Sequence, residues 1–141
     1  MSTPLPFFVY GTLKRGEPNY ARFLAGHTLV EIPARLPAAA LYTAGPYPFL
    51  VQAPDLVMPA DSVIGQIITI RPSEYDQVLL LLDDLEGYVV GGSNNLYERI
   101  SAAVETADGP QQAYLYIAGA ATEQAIRAGE LQKVPGGNWR G

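Results

Sequence analysis

Hydrophobic and polar residues fall along this chain in two periods, and the change from one to the other outlines its elements. "VIGQIITI", residues 63–70, is a short apolar run rich in β-branched side chains and reads as a strand. "PSEYDQVLLLLDDLEGY", residues 72–88, reads as a helix. Tyr75, Val78, Leu79, Leu82 and Leu85 recur in it at helical spacing and form one buried stripe. Pro72 and Ser73 suit its start, and Gly87 is placed to end it.

"LYERISAAVETADGPQQAYLYIA", residues 96–118, returns to a period of two and predicts a hairpin turning at Asp108-Gly109. A two-residue loop there sets Arg99 opposite Ala118, Ser101 opposite Tyr116 and Ala103 opposite Tyr114. One face then carries Ile100, Ala102, Val104, Leu115 and Ile117, which is ordinary packing material. The other carries Tyr97, Arg99, Tyr114 and Tyr116, an aromatic and polar surface suited to line a pocket.

Elsewhere the pattern is weaker. Residues 6–10 predict a first strand ending at Gly11, and Pro18 precedes a short helix expected from Asn19 to Leu24. The segment 27–53 holds Pro33, Pro37, Pro46 and Pro48 and predicts two or three short, bent or edge strands, since proline cannot donate to a ladder. Residues 54–62 and the "GGSNN" run at 91–95 predict loops, and "TEQAIRAGE" predicts a short helix before a tail anchored by Trp139. There is no internal repeat and no composition break, so residues 1–141 are expected to form one domain.

Composition narrows the chemistry. Hydrophobic residues make up 48% of the chain and charged residues 16%, the balance of a folded globular protein. Fourteen acidic residues against nine basic ones, with no basic cluster beyond Lys14-Arg15, argue against nucleic acid as a partner. No cysteine is present, so disulfides, thiolate nucleophiles and cysteine zinc sites are excluded. His27 is the single histidine, and its ordinary reading is structural or exposed. No apolar run approaches a membrane span, and the N-terminus lacks a signal-peptide pattern; the expected address is the cytoplasm.

Two stretches carry candidate chemistry. In "FFVYGTLKRG" an apolar strand stops at a glycine-punctuated turn, whose successive backbone N–H groups can receive a carboxylate or an oxyanion. It is not a P-loop, because the Gly-Lys-Ser/Thr element is missing, and the plainer reading is a turn with no ligand. In "LDDLEGY" the acids Asp83, Asp84 and Glu86 crowd a helix C-terminus. The plain reading is a solvated helix end. The sharper one turns a carboxylate inward, where burial raises its pKa and suits it to carry a proton. Glu86 falls near Leu82 and Leu79 on the apolar stripe, Asp83 flanks it and Asp84 lies away from it, which favours Glu86.

"VYGTLKRG", "GPYPFLV", "LDDLEGY" followed by "LYERI", the late "AYLYI" and the final "GGNWR" occur in an order that resembles the γ-glutamylcyclotransferase-like family over roughly residues 7–140. The branch it is most similar to is the AIG2-like and γ-glutamylamine cyclotransferase group. The resemblance implies an α+β fold, a small mixed β-barrel with flanking short helices. It implies cyclisation of a γ-glutamyl group to 5-oxoproline with release of a free amine or amino acid. Carried over by position, it makes Glu86 the catalytic acid/base and Tyr10, Gly11, Thr12 and Leu13 the loop that holds the γ-glutamyl group. It assigns Tyr97, Arg99 and Tyr116 to shaping or supporting the pocket. It implies a small-molecule γ-glutamyl substrate and neither metal nor cofactor. "VVGGSNN" departs from the family pattern, which has acidic and proline residues between "EGY" and "Y-x-R".

Three readings stay open on the sequence: a cyclising enzyme, a γ-glutamyl-binding or protein-binding module without turnover, and a purely structural barrel. A glutamate at position 86 favours the first. Oligomeric state is not legible.

Overall fold

The computed structural model describes residues 5–11, 13, 14, 17, 19–45, 47–86, 88 and 97–139. Five strands close a barrel in the order β1 (Phe7–Val9), β5 (Ser62–Ile70), β2 (Thr28–Pro37), β6 (Tyr97–Thr106) and β7 (Gly109–Ala118). Parallel pairing of β1 with β7, at Phe7 and Tyr114, closes a ring whose other ladders are antiparallel. A separate three-stranded sheet runs β4 (Pro48–Val51), β3 (Ala40–Thr43) and β8 (Gln132–Lys133). Two helices flank the strands, α1 (Tyr75–Leu85) and α2 (Ala120–Arg127). This is the expected mixed barrel with short helices.

Alternation along the strands divides the core in two. Phe8, Ala34, Leu36, Val63, Ile67, Val104, Ala113 and Leu115 pack together in one buried cluster, with the Tyr10 side chain. Phe7, Val9, Ile68, Ile70, Tyr97 and Tyr116, from the opposite faces of the same strands, pack in the other with Tyr75, Val78 and Leu82 of α1. The helical stripe thus behaves as its spacing predicts, with Leu79 and Leu85 half-buried at its margins. Truncating a fully buried residue such as Leu82 to alanine should cost about 2–5 kcal/mol.

Two glycines are required by close approach rather than by turns of the chain alone. A Cβ on Gly65 would stand 2.3 Å from the Val9 carbonyl oxygen and 2.9 Å from the Phe8 ring, so β5 can pass β1 only without a side chain there. At Gly137 a Cβ would overlap the Ser62 carbonyl and φ is +64°, so the chain at Gly137 lies against the start of β5 through a backbone contact.

Four expectations are refined. The segment 27–53 does hold three strands, but the first is ten residues long and contains both Pro33 and Pro37. It pairs with β5 along its length and with β6 only at Arg35–Glu105, so much of its second edge carries no ladder for proline to interrupt. The helix expected from Asn19 is a single wide turn, Tyr20–Leu24, while "TEQAIRAGE" forms its helix from Ala120. A short helical turn, Pro54–Leu56, lies within the predicted 54–62 loop. The hairpin register differs by two residues from the expected one: Arg99 faces Tyr116, Ser101 faces Tyr114 and Ala103 faces Gln112.

The turn chemistry explains that register. Thr106 and Gly109 form the last pair, leaving Ala107-Asp108 as the loop. The Thr106 hydroxyl accepts the Asp108 N–H at 3.1 Å and donates to the Gly109 carbonyl at 2.8 Å. An even shift preserves side-chain parity, so the two faces are those expected. Gly87 and the "GGSNN" loop lie outside the described residues.

Candidate active site

At the end of β1 the chain turns at Gly11, where the Lys14 N–H closes back on the Gly11 carbonyl at 3.1 Å. Tyr10 and Leu13 are both buried at this turn, and with Gly11 they line a cavity of about 280 Å³. Its other walls are Pro48 at the start of β4, Tyr47 before it, Tyr97 and Tyr116 from the β6–β7 hairpin, and Leu85 and Glu86 from the end of α1. Thr12, between Gly11 and Leu13, lies outside the described residues. The structure therefore gathers Tyr10, Gly11, Leu13, Glu86, Tyr97 and Tyr116 around one space, although they are spread over 107 positions of sequence.

Glu86 is brought there by helical geometry. Its N–H bonds to the Leu82 carbonyl at 2.9 Å, so it follows the fully buried Leu82 by one turn on the same face. Burial against the cavity wall removes water from its carboxylate and raises its pKa to about 7. Asp84, two residues earlier, is exposed. Asp83 is turned elsewhere: it accepts a hydrogen bond from the Tyr116 hydroxyl at 2.6 Å and pairs with Arg99 at 3.0 Å.

Three of the four tyrosines in the described lining, Tyr10, Tyr97 and Tyr116, have their hydroxyl protons committed. Tyr10 donates to the Tyr116 carbonyl, Tyr97 to the Pro48 carbonyl at 2.8 Å, and Tyr116 to Asp83. Burial pushes all three phenols well above their ordinary range, and the Glu86 carboxylate adds to the shift in each. They are neutral walls at any physiological pH. The Tyr97 ring also stacks on Phe49 at 4.6 Å between centroids, fixing its plane.

Arg99 does not line the cavity; it stands behind Tyr116, held by Asp83 and lying over the rings of Tyr114 and Tyr88. Tyr114 likewise packs against Phe7 and lies outside the lining. Lys14 is tied to the tail through the Asn138 side chain at 3.2 Å and the Trp139 carbonyl, which links the first turn to the buried Trp139. His27 pairs with Glu74 at 2.9 Å in a half-exposed position. Among the described residues, no group of three or more histidine, aspartate or glutamate side chains could hold a metal ion, and no helix is long and apolar enough to cross a membrane.

Pro48, Tyr47 and Asn19 line the cavity without having been singled out by sequence reasoning, and Asp83, weighed there as the alternative to Glu86, pairs instead with Arg99 and Tyr116. Pro48 sits where a Cβ on Gly11 would meet its ring at 2.9 Å, so the glycine admits close packing of the two walls. That contact joins residues 37 positions apart and had no local signal. Asp83 did carry one, its position flanking the apolar stripe, but its partners come from another element.

Comparison with known proteins agrees with this geometry. The family described as "Gamma-glutamyl cyclotransferase, AIG2-like" matches residues 7–141. A curated relative from Niallia circulans, γ-L-glutamyl-butirosin B γ-glutamyl cyclotransferase, is 29% identical over 111 residues, covering 78% of this chain. The aligned part spans 64% of that relative's own length. The crystal structure of an AIG2-like protein from Mus musculus superposes with a TM-score of 0.60 at 28% identity, covering 80% of this chain and 76% of that one. YkqA from Bacillus subtilis shares the fold with a TM-score of 0.66 at 21% identity, over 97% of this chain and 40% of that one. With a family match that takes in the whole barrel, the Tyr10 turn and Glu86, this chain belongs to the AIG2-like γ-glutamyl cyclotransferase family.

Proposed function

We propose that this protein is a γ-glutamyl cyclotransferase that acts on a γ-glutamyl amine or γ-glutamyl amino acid, with Glu86 as the general acid and base. The observation that carries the reading is the Glu86 carboxylate, half-buried in the wall of a cavity whose other described lining is neutral side chains and a glycine turn, where burial raises its pKa to about 7. Family membership and the activity named for the Niallia circulans relative support the same reading.

The substrate brings its own nucleophile. Its α-amine attacks the γ-amide carbonyl carbon, a C–N bond closes the five-membered ring, and a tetrahedral oxyanion forms. The α-ammonium first loses one proton to solvent, and once the ring has closed the attacking nitrogen gives up a second, which Glu86 accepts as carboxylate. The C–N bond to the leaving amine then breaks as that nitrogen takes the proton back from Glu86. The products are 5-oxoproline and the free amine, and one carboxyl group ends as it began. A pKa near the working pH suits both halves of this exchange. The cavity holds amine and carbonyl together, which replaces an encounter by a geometry. Backbone N–H groups of the turn beginning at Gly11 are suited to the oxyanion or the substrate carboxylate. No step calls for a thiolate, a hydroxyl nucleophile or a metal.

The test is to incubate the protein with a panel of γ-glutamyl amines and γ-glutamyl dipeptides, assay 5-oxoproline, and measure binding of the same ligands. Release from at least one compound is expected. Binding without release at any pH from 5 to 9 would point instead to a binding module, and neither would leave a structural barrel.

A further inference from the structure

Three residues before Glu86, Asp83 occupies a different environment on the same helix end. One of its oxygens accepts the Tyr116 hydroxyl at 2.6 Å, and Arg99 Nη1 reaches its two oxygens at 3.0 and 3.3 Å. The Arg99 guanidinium is held independently by two rings, 5.1 Å from the Tyr114 centroid and 5.2 Å from that of Tyr88. The paired side chains are only 16% and 14% exposed, so solvent screens them far less than a surface pair. Tyr116 in turn forms part of the cavity wall and its carbonyl receives the Tyr10 hydroxyl. Asp83 therefore connects the helix end that carries Glu86 to the hairpin and, through it, to the first turn.

We propose that Asp83 and Arg99 are a positioning pair for the reaction: Asp83 fixes the Tyr116 phenol at the cavity wall, and Arg99 cancels the charge of Asp83 so that Glu86 works beside a neutral cluster. The inference rests on Glu86 acting as the proton shuttle. On a helix end, residues three apart stand about 5–6 Å from one another at Cβ, close enough for an uncompensated charge at Asp83 to act on Glu86. The other described titratable groups beside Glu86 or the pair are Tyr10 at the end of β1, Tyr47 before β4, Tyr75 of α1, Tyr97 of β6, Tyr114 and Tyr116 of β7 and Tyr88 after α1, all phenols. Asp84 on α1 is exposed, and Lys14 of the first turn is tied to Asn138 and Trp139. Burial is the cause of the raised Glu86 pKa.

The pair then makes a prediction of opposite signs. Without Asp83 the Arg99 cation is left, still held by its two rings, and it favours ionised Glu86. Without Arg99 the Asp83 anion is left and disfavours it. One uncompensated charge at this range should move the Glu86 midpoint by on the order of one pH unit.

The experiment follows the Glu86 carboxyl by carbon-13 NMR in the full chain across pH 5–9, with 5-oxoproline release measured over the same range. Asp83→Asn should lower the midpoint and Arg99→Gln should raise it. The double variant, and Arg99→Lys, which keeps the charge, should titrate close to the wild type. A role confined to folding would not give shifts of opposite sign that cancel in the double variant. Midpoints that stay put, or move the same way in both single variants, would overturn the proposal. Should Asp83→Asn fail to fold, Arg99→Gln against Arg99→Lys decides alone, and equal midpoints in those two would overturn it. Opposite shifts in a protein whose wild type releases no 5-oxoproline would sink the proposed function and leave the charge cancellation standing. Normal release with unmoved midpoints would do the reverse.

Discussion

The last turn of α1 carries three acids within four residues, and each has a different fate. Asp84 faces solvent. Asp83 turns to the hairpin and gains a cation and a phenol donor. Glu86 turns to the cavity, where burial raises its pKa and no cation stands in the described lining. The three are nearly identical as chemistry and are placed by helical rotation of about 100° per residue. What separates them is the partner set each rotation reaches. A carboxylate paired with arginine and a phenol serves geometry; one set in the cavity wall with no cation in the described lining has its pKa raised and can pass a proton.

The largest expected effect separates Glu86 from Asp84. Glu86→Gln keeps shape and hydrogen bonding but cannot accept and return a proton. Rates of 5-oxoproline release should fall by roughly 10²- to 10⁴-fold with ligand affinity retained. Asp84→Asn, measured beside it, should leave the rate within about twofold, since exposed substitutions rarely act at a distance. Loss in Asp84→Asn and not in Glu86→Gln would reverse the assignment.

Stability separates Glu86 from Asp83 with opposite signs. The Glu86 pKa is raised on folding, so at pH 3, below both values, the carboxyl is neutral in both states and contributes nothing. From its ordinary value up to about 7 the unfolded chain ionises first, and the folded state loses stability as pH rises. Above that the full penalty stands, up to about 3 kcal/mol and less where solvent reaches the side chain. Glu86→Gln should therefore melt higher than the wild type at pH 8, with the difference vanishing toward pH 3. Asp83→Asn should melt lower at pH 8, by on the order of 1–3 kcal/mol, because it strands a poorly solvated guanidinium. Thermal unfolding of the two variants at both pH values tests the contrast; equal shifts would abolish it.

How much of this was legible in sequence follows from how local each signal is. The α1 stripe, β5 and the inward position of Glu86 rest on spacing within one element, and they stand as read. The hairpin was legible as a hairpin, but its register was not, because the Thr106 hydroxyl organises the loop one residue before Asp108-Gly109. The length of β2 was hidden by its prolines, which are tolerated where β6 offers little ladder. The Asp83–Arg99 pair spans two elements sixteen positions apart and had no pattern to betray it.

Smaller effects probe the opposite wall. Gly11→Ala must push the Pro48 ring, whose Cγ and Cδ would lie 2.9 and 3.0 Å from the new Cβ. An overpacking strain of about 1.4 kcal/mol would weaken substrate capture about tenfold while leaving the Glu86 midpoint in place. Unchanged KM and kcat in the folded variant would reduce this turn to scaffolding. The smallest effect expected is none: EDTA should leave turnover intact. Loss of activity restored by one divalent ion would require a metal that the proposed chemistry does not use.

The most direct test of the central claim is the pH dependence of kcat/KM for 5-oxoproline release by the wild type. A half-buried Glu86 acting as base, with no cation in the described lining, predicts an acid limb that rises through a midpoint of about 7 and is missing from the residual activity of Glu86→Gln. A limb centred near the ordinary glutamate value of about 4.3, or one that persists unchanged in Glu86→Gln, would contradict it.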